Sequence, residues 1–150
     1  MAVVSQTHSG VQPGPPKPVS ACVAVTRADI QEALGQSVAK GEEQTDDLES
    51  TCDYAGAYGQ VTITIRRLAE KLNIPAEKEN LVKTIPESKV RDVEGIGTRA
   101  FFLDITGAGT QLHVIRGDHE YLLVSVLGFG DAEQVSAAAK RIARKALDRL

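Results

Sequence analysis

Only three side chains have types and positions that suggest acid–base chemistry. Asp118 and His119 are adjacent and resemble half of an acid–base pair, and His113 precedes them on a predicted strand. General acid–base catalysis requires a group within hydrogen-bond reach of its substrate, whereas adjacent residues usually point apart. Asp118 and His119 also fall in a predicted hairpin turn, where aspartate is common for backbone reasons. We therefore interpret all three as structural or surface residues and name no catalytic residue; an enzyme of unrecognised type is an alternative.

The two cysteines, Cys22 and Cys52, allow two interpretations. A disulfide between them would close a loop of about 31 residues and constrain the unfolded chain by roughly 3–4 kcal/mol. Two buried thiols suit the same positions, because free cysteine is commonly a small core residue. Zinc requires about four cysteine or histidine ligands at short spacings, whereas His8, His113 and His119 are scattered. The sequence predicts no metal site and no cofactor.

Two further segments imitate ligand-binding motifs. Residues 95–100, Gly-Ile-Gly-Thr-Arg-Ala, resemble a dinucleotide fingerprint, but that motif joins a strand to a helix, and this one leads into a strand. The glycines therefore predict a tight turn. Residues 36–51 are acidic yet lack the alternating spacing and turn glycine of an EF-hand. We expect a solvated surface loop there.

Composition favours one globular domain. The 150 residues are 42% hydrophobic and 25% charged, which is ordinary for a folded soluble chain. The formal net charge of -3 argues against nucleic acid as a partner. The longest apolar run, residues 121–130, is too short to span a membrane.

Three segments carry helix signals. Thr26 and Asp29 form the pattern of a capping box, which predicts a short helix over residues 27–34 that ends at Gly35. Residues 67–85 predict two helical pieces broken at Pro75. A long helix is predicted from Asp131 onward. Its apolar stripe comprises Val135, Ala138, Ala139, Ile142, Ala146 and Leu150.

Strands are predicted by alternating apolar residues between glycine-bearing turns. Residues 52–55 and 61–66 form one hairpin, and a meander of three strands covers residues 99–105, 111–116 and 120–126. The short turns make the sheet mainly antiparallel, with helices packed over it. The predicted class is α+β, with a long C-terminal helix.

Residues 1–21 predict a disordered, proline-rich tether ahead of a single domain over residues 22–150. Four of the six prolines lie in the tether, which has few large apolar groups to bury. It lacks the basic start and apolar core of a signal peptide. Two histories stay open: a cytoplasmic chain, or an exported chain whose signal has been removed.

The sequence resembles a family of small secreted or lipoprotein-type domains of unknown function that are common in actinobacteria. The resemblance rests on Cys22, a capped helix ending in Ala-Leu-Gly35, then Cys52-Asp-Tyr54, and on the turn at residues 93–100. It implies a disulfide between the two cysteines, an export signal removed upstream, and an α/β sandwich similar to that of photosystem extrinsic proteins. The lipobox cysteine of such proteins is missing here, and a lipid anchor is possible only upstream.

We therefore expect a non-catalytic extracytoplasmic domain of the bacterial envelope that binds a ligand or a protein partner. The ligand is a small apolar molecule, and a crevice between helix and sheet could be lined by Tyr54, Phe101, Phe102 and Tyr121. The alternative, which we favour, is that the same aromatics are ordinary core. A cytoplasmic interaction module with reduced cysteines is a further alternative.

Overall fold

The structure, a computed structural model, describes residues 18–150, so the predicted tether lies outside the described residues except for its last four. Of these four, Pro18 is buried and Val19 packs against the core. Ala21 already begins a helix. The described domain therefore includes a few residues that the sequence assigned to the tether.

The described residues form helices and strands in the order helix, helix, three strands, helix, four strands, helix. The helices are α1 (Ala21–Ala24), α2 (Arg27–Leu34), α3 (Ile74–Thr84) and α4 (Ala132–Arg149). The strands are β1 (Glu42–Thr45), β2 (Glu49–Ala55), β3 (Gln60–Arg67), β4 (Ser88–Val93), β5 (Arg99–Ile105), β6 (Gly109–Arg116) and β7 (Glu120–Leu127).

All seven strands belong to one antiparallel sheet with the order β1-β2-β3-β7-β6-β5-β4. The predicted hairpin and meander are joined because β3 pairs with β7 along its whole length. The α+β class, the mainly antiparallel sheet and the long C-terminal helix are confirmed.

The two faces of the sheet are covered differently. On the first face, helices α1, α2 and α4 enclose the main core, which includes Ile63, Leu112 and Ile142. On the second face, a smaller cluster forms around Phe101, Ile115 and Tyr121 beneath the segment that leads into α3. No residue of α3 is fully buried, so this helix covers its face loosely.

The predicted helix caps of α2 and α4 are confirmed. The Thr26 and Asp29 side chains form a complete capping box, and Gly35 ends α2 in the left-handed conformation with φ 70°. The Asp131 side chain accepts hydrogen bonds from the backbone N–H groups of Glu133 and Gln134 at the start of α4. Local sequence therefore determines where these helices begin.

Two predictions about elements are wrong, and one strand was not predicted. Residues 36–51 are not one loop, because β1 and the start of β2 lie within them; every residue of β1 is exposed, so no apolar alternation marks this edge strand. Residues 67–85 hold one helix rather than two, since the Asn73 side chain caps α3 and the preceding residues are not helical. The edge strand β4 carries no buried residue and was not predicted.

Candidate functional site

The structure separates the four aromatic residues that were predicted to line a crevice. Tyr54 and Phe102 belong to the main core on the first face, whereas Phe101 and Tyr121 belong to the cluster on the second face. All four are at most 4% exposed. The sheet lies between the two pairs, so the four do not line a common crevice.

Each member of the first pair has structural contacts. The Tyr54 hydroxyl donates to the Val25 carbonyl at 2.5 Å and so ties β2 to the junction between α1 and α2; burial raises the pKa of the Tyr54 hydroxyl. Phe102 lies beneath two cations, with Arg91 4.4 Å and Lys140 5.9 Å from its ring centre. These contacts hold the helices against the sheet.

A histidine joins the second pair into one buried cluster. The His113 ring stacks on Phe101 with 4.8 Å between ring centres, and its Nδ1 makes a short hydrogen bond with the Tyr121 hydroxyl. His113 Nε2 lies 3.1 Å from Gln111 Oε1, which can only accept. Nε2 is therefore the protonated nitrogen, and Tyr121 donates to Nδ1.

This arrangement keeps the imidazole neutral. Burial, and to a smaller extent the nearby Arg66 charge, lowers the pKa of His113 to about 4. Burial also raises the pKa of the Tyr121 hydroxyl. Both ring nitrogens of His113 are engaged and the residue is 2% exposed, so we assign the cluster a structural role.

The other residues with possible chemistry are not assembled into a site. Asp118 and His119 lie in the exposed turn between β6 and β7, and His119 Nδ1 lies 3.0 Å from the Leu68 carbonyl oxygen. No hydrogen bond joins either of them to His113 within the described residues. Between residues 18 and 150, no group of three or more histidine, cysteine, aspartate or glutamate residues is placed to hold a metal ion.

Cys22 and Cys52 form a disulfide that joins α1 to β2. Their Cα atoms are 5.2 Å apart, within bridging distance, and Cys52 is fully buried. The pairing implied by the family resemblance is therefore present. A disulfide is compatible with an oxidising compartment outside the cytoplasm.

The loops at one end of the sheet form a surface that the sequence analysis did not identify. Residues Ala55, Gln60, Leu127, Gly109 and Ile105 are paired in one row across five strands. The turn 56–59, the turn 106–108 and the loop 128–131 all leave from this row. We call these three segments the glycine-loop end.

Glycines allow the backbones of the three segments to pack directly against one another. A Cβ on Gly128 would lie 2.3 Å from the Tyr58 carbonyl oxygen, and one on Gly59 would lie 2.1 Å from the Leu127 carbonyl oxygen. Gly128 N–H also donates to the Ala108 carbonyl at 2.8 Å. Only glycine permits such close backbone approach, so the glycine-loop end is held by backbone contacts.

Within the glycine-loop end, the Tyr58 residue is 88% exposed, whereas Phe129 is 6% exposed. An adjacent cleft of about 460 Å³ is lined by the turn 106–108, Ile105 and Gly130, among others. The signal for Tyr58 was present in the sequence as a tyrosine between glycines in the Gly-Ala-Tyr-Gly turn. A hairpin tip places its side chain beyond the reach of the core.

Comparison of the chain with protein-family models, with curated proteins and with solved structures finds no match. No helix among residues 18–150 combines the length and the apolar character needed to cross a membrane.

Proposed function

We propose that this chain is a non-catalytic domain of the bacterial envelope that is exported, held by its N-terminal segment, and binds a protein partner through the glycine-loop end. The observation that carries the proposal is the 88% exposure of Tyr58 on backbone loops that are locked together. Tyrosine is enriched among the residues that dominate binding energy in protein interfaces. Loops that are already fixed lose little conformational entropy when a partner binds.

The position of the surface suits a tethered domain. The N–H of Ala21 donates to the Ser50 side chain, near the start of β2, whereas Tyr58 follows the last residue of the same strand. The strand separates the two points by about 20 Å. The glycine-loop end thus faces away from the residues that follow the predicted tether.

The chemistry of the surface indicates the kind of partner. Asp131 is the only charged residue in the three segments, and its carboxylate is already used to cap α4. The remaining side chains are Tyr58, alanines, one threonine and the buried Phe129. The expected partner therefore presents an uncharged pocket for the phenol ring, and the affinity depends little on salt concentration.

The disulfide supports export, because disulfides persist mainly in oxidising compartments. The test is alkylation of the chain after it is recovered from its own cells and denatured without prior reduction, because Cys52 is buried in the folded chain. Export predicts no mass added by the alkylating reagent. Addition of two alkyl groups would contradict export and favour the cytoplasmic alternative.

The binding proposal is tested by comparing the wild-type domain with Tyr58→Ala as immobilised bait for an envelope extract. A protein retained by the wild type is identified and its Kd measured with both. We expect Tyr58→Ala to weaken that Kd about 30-fold, as for a central interface residue. Unfolding stability should change by no more than about 0.5 kcal/mol, because the side chain is exposed.

The matched control is Val23→Ala, which shortens another exposed apolar side chain, 66% exposed, on α1. It should leave the Kd unchanged. If the Tyr58→Ala bait retains the same proteins with the same affinities as the wild type, or if Val23→Ala weakens binding equally, the glycine-loop end is not the binding surface.

A further inference from the structure

A continuous groove runs between α2 and α4 on the outer side of the domain. Its first part, with a volume of about 340 Å³, is lined by Leu34, Phe129 and Ala138, among others. Its second part, about 330 Å³, continues toward the end of α4. The two parts share Glu32, Ala33 and Arg141 as lining residues, so they form one groove.

The groove is long and narrow. Its lining on α4 extends from Gln134 to Asp148, which corresponds to about 20 Å of helix. Small alanine side chains on both helices leave the space open, including Ala33 on α2 and Ala137 on α4. Each part has a volume in the range of small-molecule sites.

One part of the groove carries unpaired cations. Arg141, Arg144 and Lys145 lie three and four residues apart, so they share one side of α4 at neighbouring positions. All three are exposed, and none makes an ion pair within the part of the chain that the structure describes. Two carboxylates, Glu32 and Asp148, line the same part of the groove without forming an ion pair with these cations.

The acidic residues of the groove cancel only part of this charge. Asp29 is bound by Arg149 through two hydrogen bonds, one of them short, and these hold the pKa of its carboxyl at about 2. Glu32 and Asp148 remain against the three cations. With three cations and two carboxylates, the second part of the groove keeps a net charge of +1, while the first part ends at Leu34 and Phe129.

We propose that this groove binds an anionic amphiphile, with a phosphate ester at Arg141, Arg144 and Lys145 and its hydrocarbon chain along the alanines toward Phe129. Guanidinium groups match phosphate oxygens in geometry and charge. A chain of about twelve carbons suits the length of the groove. The groove meets the glycine-loop end at Phe129, but its charged part lies toward the other end of α4 and does not depend on a protein partner.

The test is calorimetric titration of the purified chain with dodecyl phosphate below its micelle concentration. The wild type should bind, with an affinity that falls as salt is added. Arg144→Glu together with Lys145→Glu should weaken the Kd at least tenfold. The matched control, Lys71→Glu together with Lys83→Glu, makes the same charge change elsewhere on the surface and should leave the Kd within twofold.

A second variant tests the shape of the groove while keeping its charges. Ala137→Trp fills the groove from an exposed position on α4 and should abolish binding of dodecyl phosphate without unfolding the domain. Inorganic phosphate and dodecyl maltoside, which each supply half of the ligand, should not bind detectably at the same concentration.

Three results would overturn the proposal. The first is equal binding of dodecyl phosphate by the Arg144→Glu, Lys145→Glu variant or by Ala137→Trp. The second is equal binding of inorganic phosphate or of dodecyl maltoside. The third is binding to intact vesicles of phosphatidylcholine and phosphatidylglycerol without binding to monomeric dodecyl phosphate, which would indicate a membrane surface as the partner.

Discussion

Replacement of His113 by glutamine should remove a large part of the acid sensitivity of this domain. In the folded chain, burial lowers the pKa of His113 to about 4, whereas an unburied histidine titrates near 6.5. Between pH 6.5 and pH 4, His113 therefore binds a proton in the unfolded chain but not in the folded chain. Stability is greatest above pH 6.5 and falls as the pH approaches 4.

The size of the effect follows from the difference between the two pKa values. Each pH unit across this window costs about 1.4 kcal/mol per proton, so the wild type should lose about 3 kcal/mol of unfolding free energy between pH 7 and pH 4 through His113 alone. The residue is 2% exposed, so solvent screening does not reduce the cost strongly. Acidic groups such as Asp29, with a pKa of about 2, contribute mainly below this window.

The assay is urea denaturation at several pH values for the wild type and His113→Gln. The variant should be less stable at pH 7, because the stacking on Phe101 is lost. Its unfolding free energy should fall less steeply with decreasing pH, and the difference in slope should correspond to the uptake of up to one proton on unfolding. Tyr121→Phe is the control: it removes the hydroxyl that donates to His113, yet the slope should persist because burial is the main cause of the low pKa.

Two observations would refute this reasoning. One is an NMR titration that shows His113 of the folded chain protonating near pH 6.5. The other is an unchanged pH dependence of stability in His113→Gln.

Three further predictions concern stability and are measured by urea denaturation. Cys22→Ser together with Cys52→Ser should lower the unfolding free energy by roughly 3–4 kcal/mol, and reduction of the wild type should give the same loss; a loss below about 1 kcal/mol would contradict the entropic argument. Gly128→Ala should cost more than about 2 kcal/mol, because the residue has φ 86° and its new Cβ would meet a carbonyl oxygen. Gly107→Ala, at φ 76° but with no atom near the added Cβ, should cost only about 1 kcal/mol. Equal losses of unfolding free energy in the two variants would contradict the close contact between Gly128 and the Tyr58 carbonyl. Asp131→Ala should cost about 1 kcal/mol by removing the cap of α4, and Asp131→Asn, which keeps an acceptor, should restore most of it.

The interior strands and the capped helices could be predicted from the sequence because their signals are local. The alternation Val61, Ile63, Ile65 marks β3, and the capping residues mark where α2 and α4 begin. Edge strands lack this signal, since neither side of β1 is buried. An edge strand of this kind is held by hydrogen bonds to its neighbour, and no pattern within its own residues indicates that pairing.

The crevice prediction contained an inconsistency that strand geometry could have exposed. Phe101 and Phe102 are adjacent in a predicted strand, and successive side chains of a strand point to opposite faces. They could not line one crevice without a bulge, and β5 pairs regularly with β6. The groove between α2 and α4, in contrast, depends on how two helices pack, which no local pattern specifies.

The two proposed surfaces are distinguished by the charges that surround them. The glycine-loop end offers Tyr58 with no free charge, so a partner there should be retained as salt rises. The α2–α4 groove places three cations around its ligand, so binding there should weaken steadily with salt. The two surfaces share Phe129, but Tyr58 lines neither part of the groove, so Tyr58→Ala should leave binding of dodecyl phosphate intact, and Ala137→Trp should leave the protein partner bound. Loss of both activities in either variant would indicate one shared site and would contradict the assignment of two.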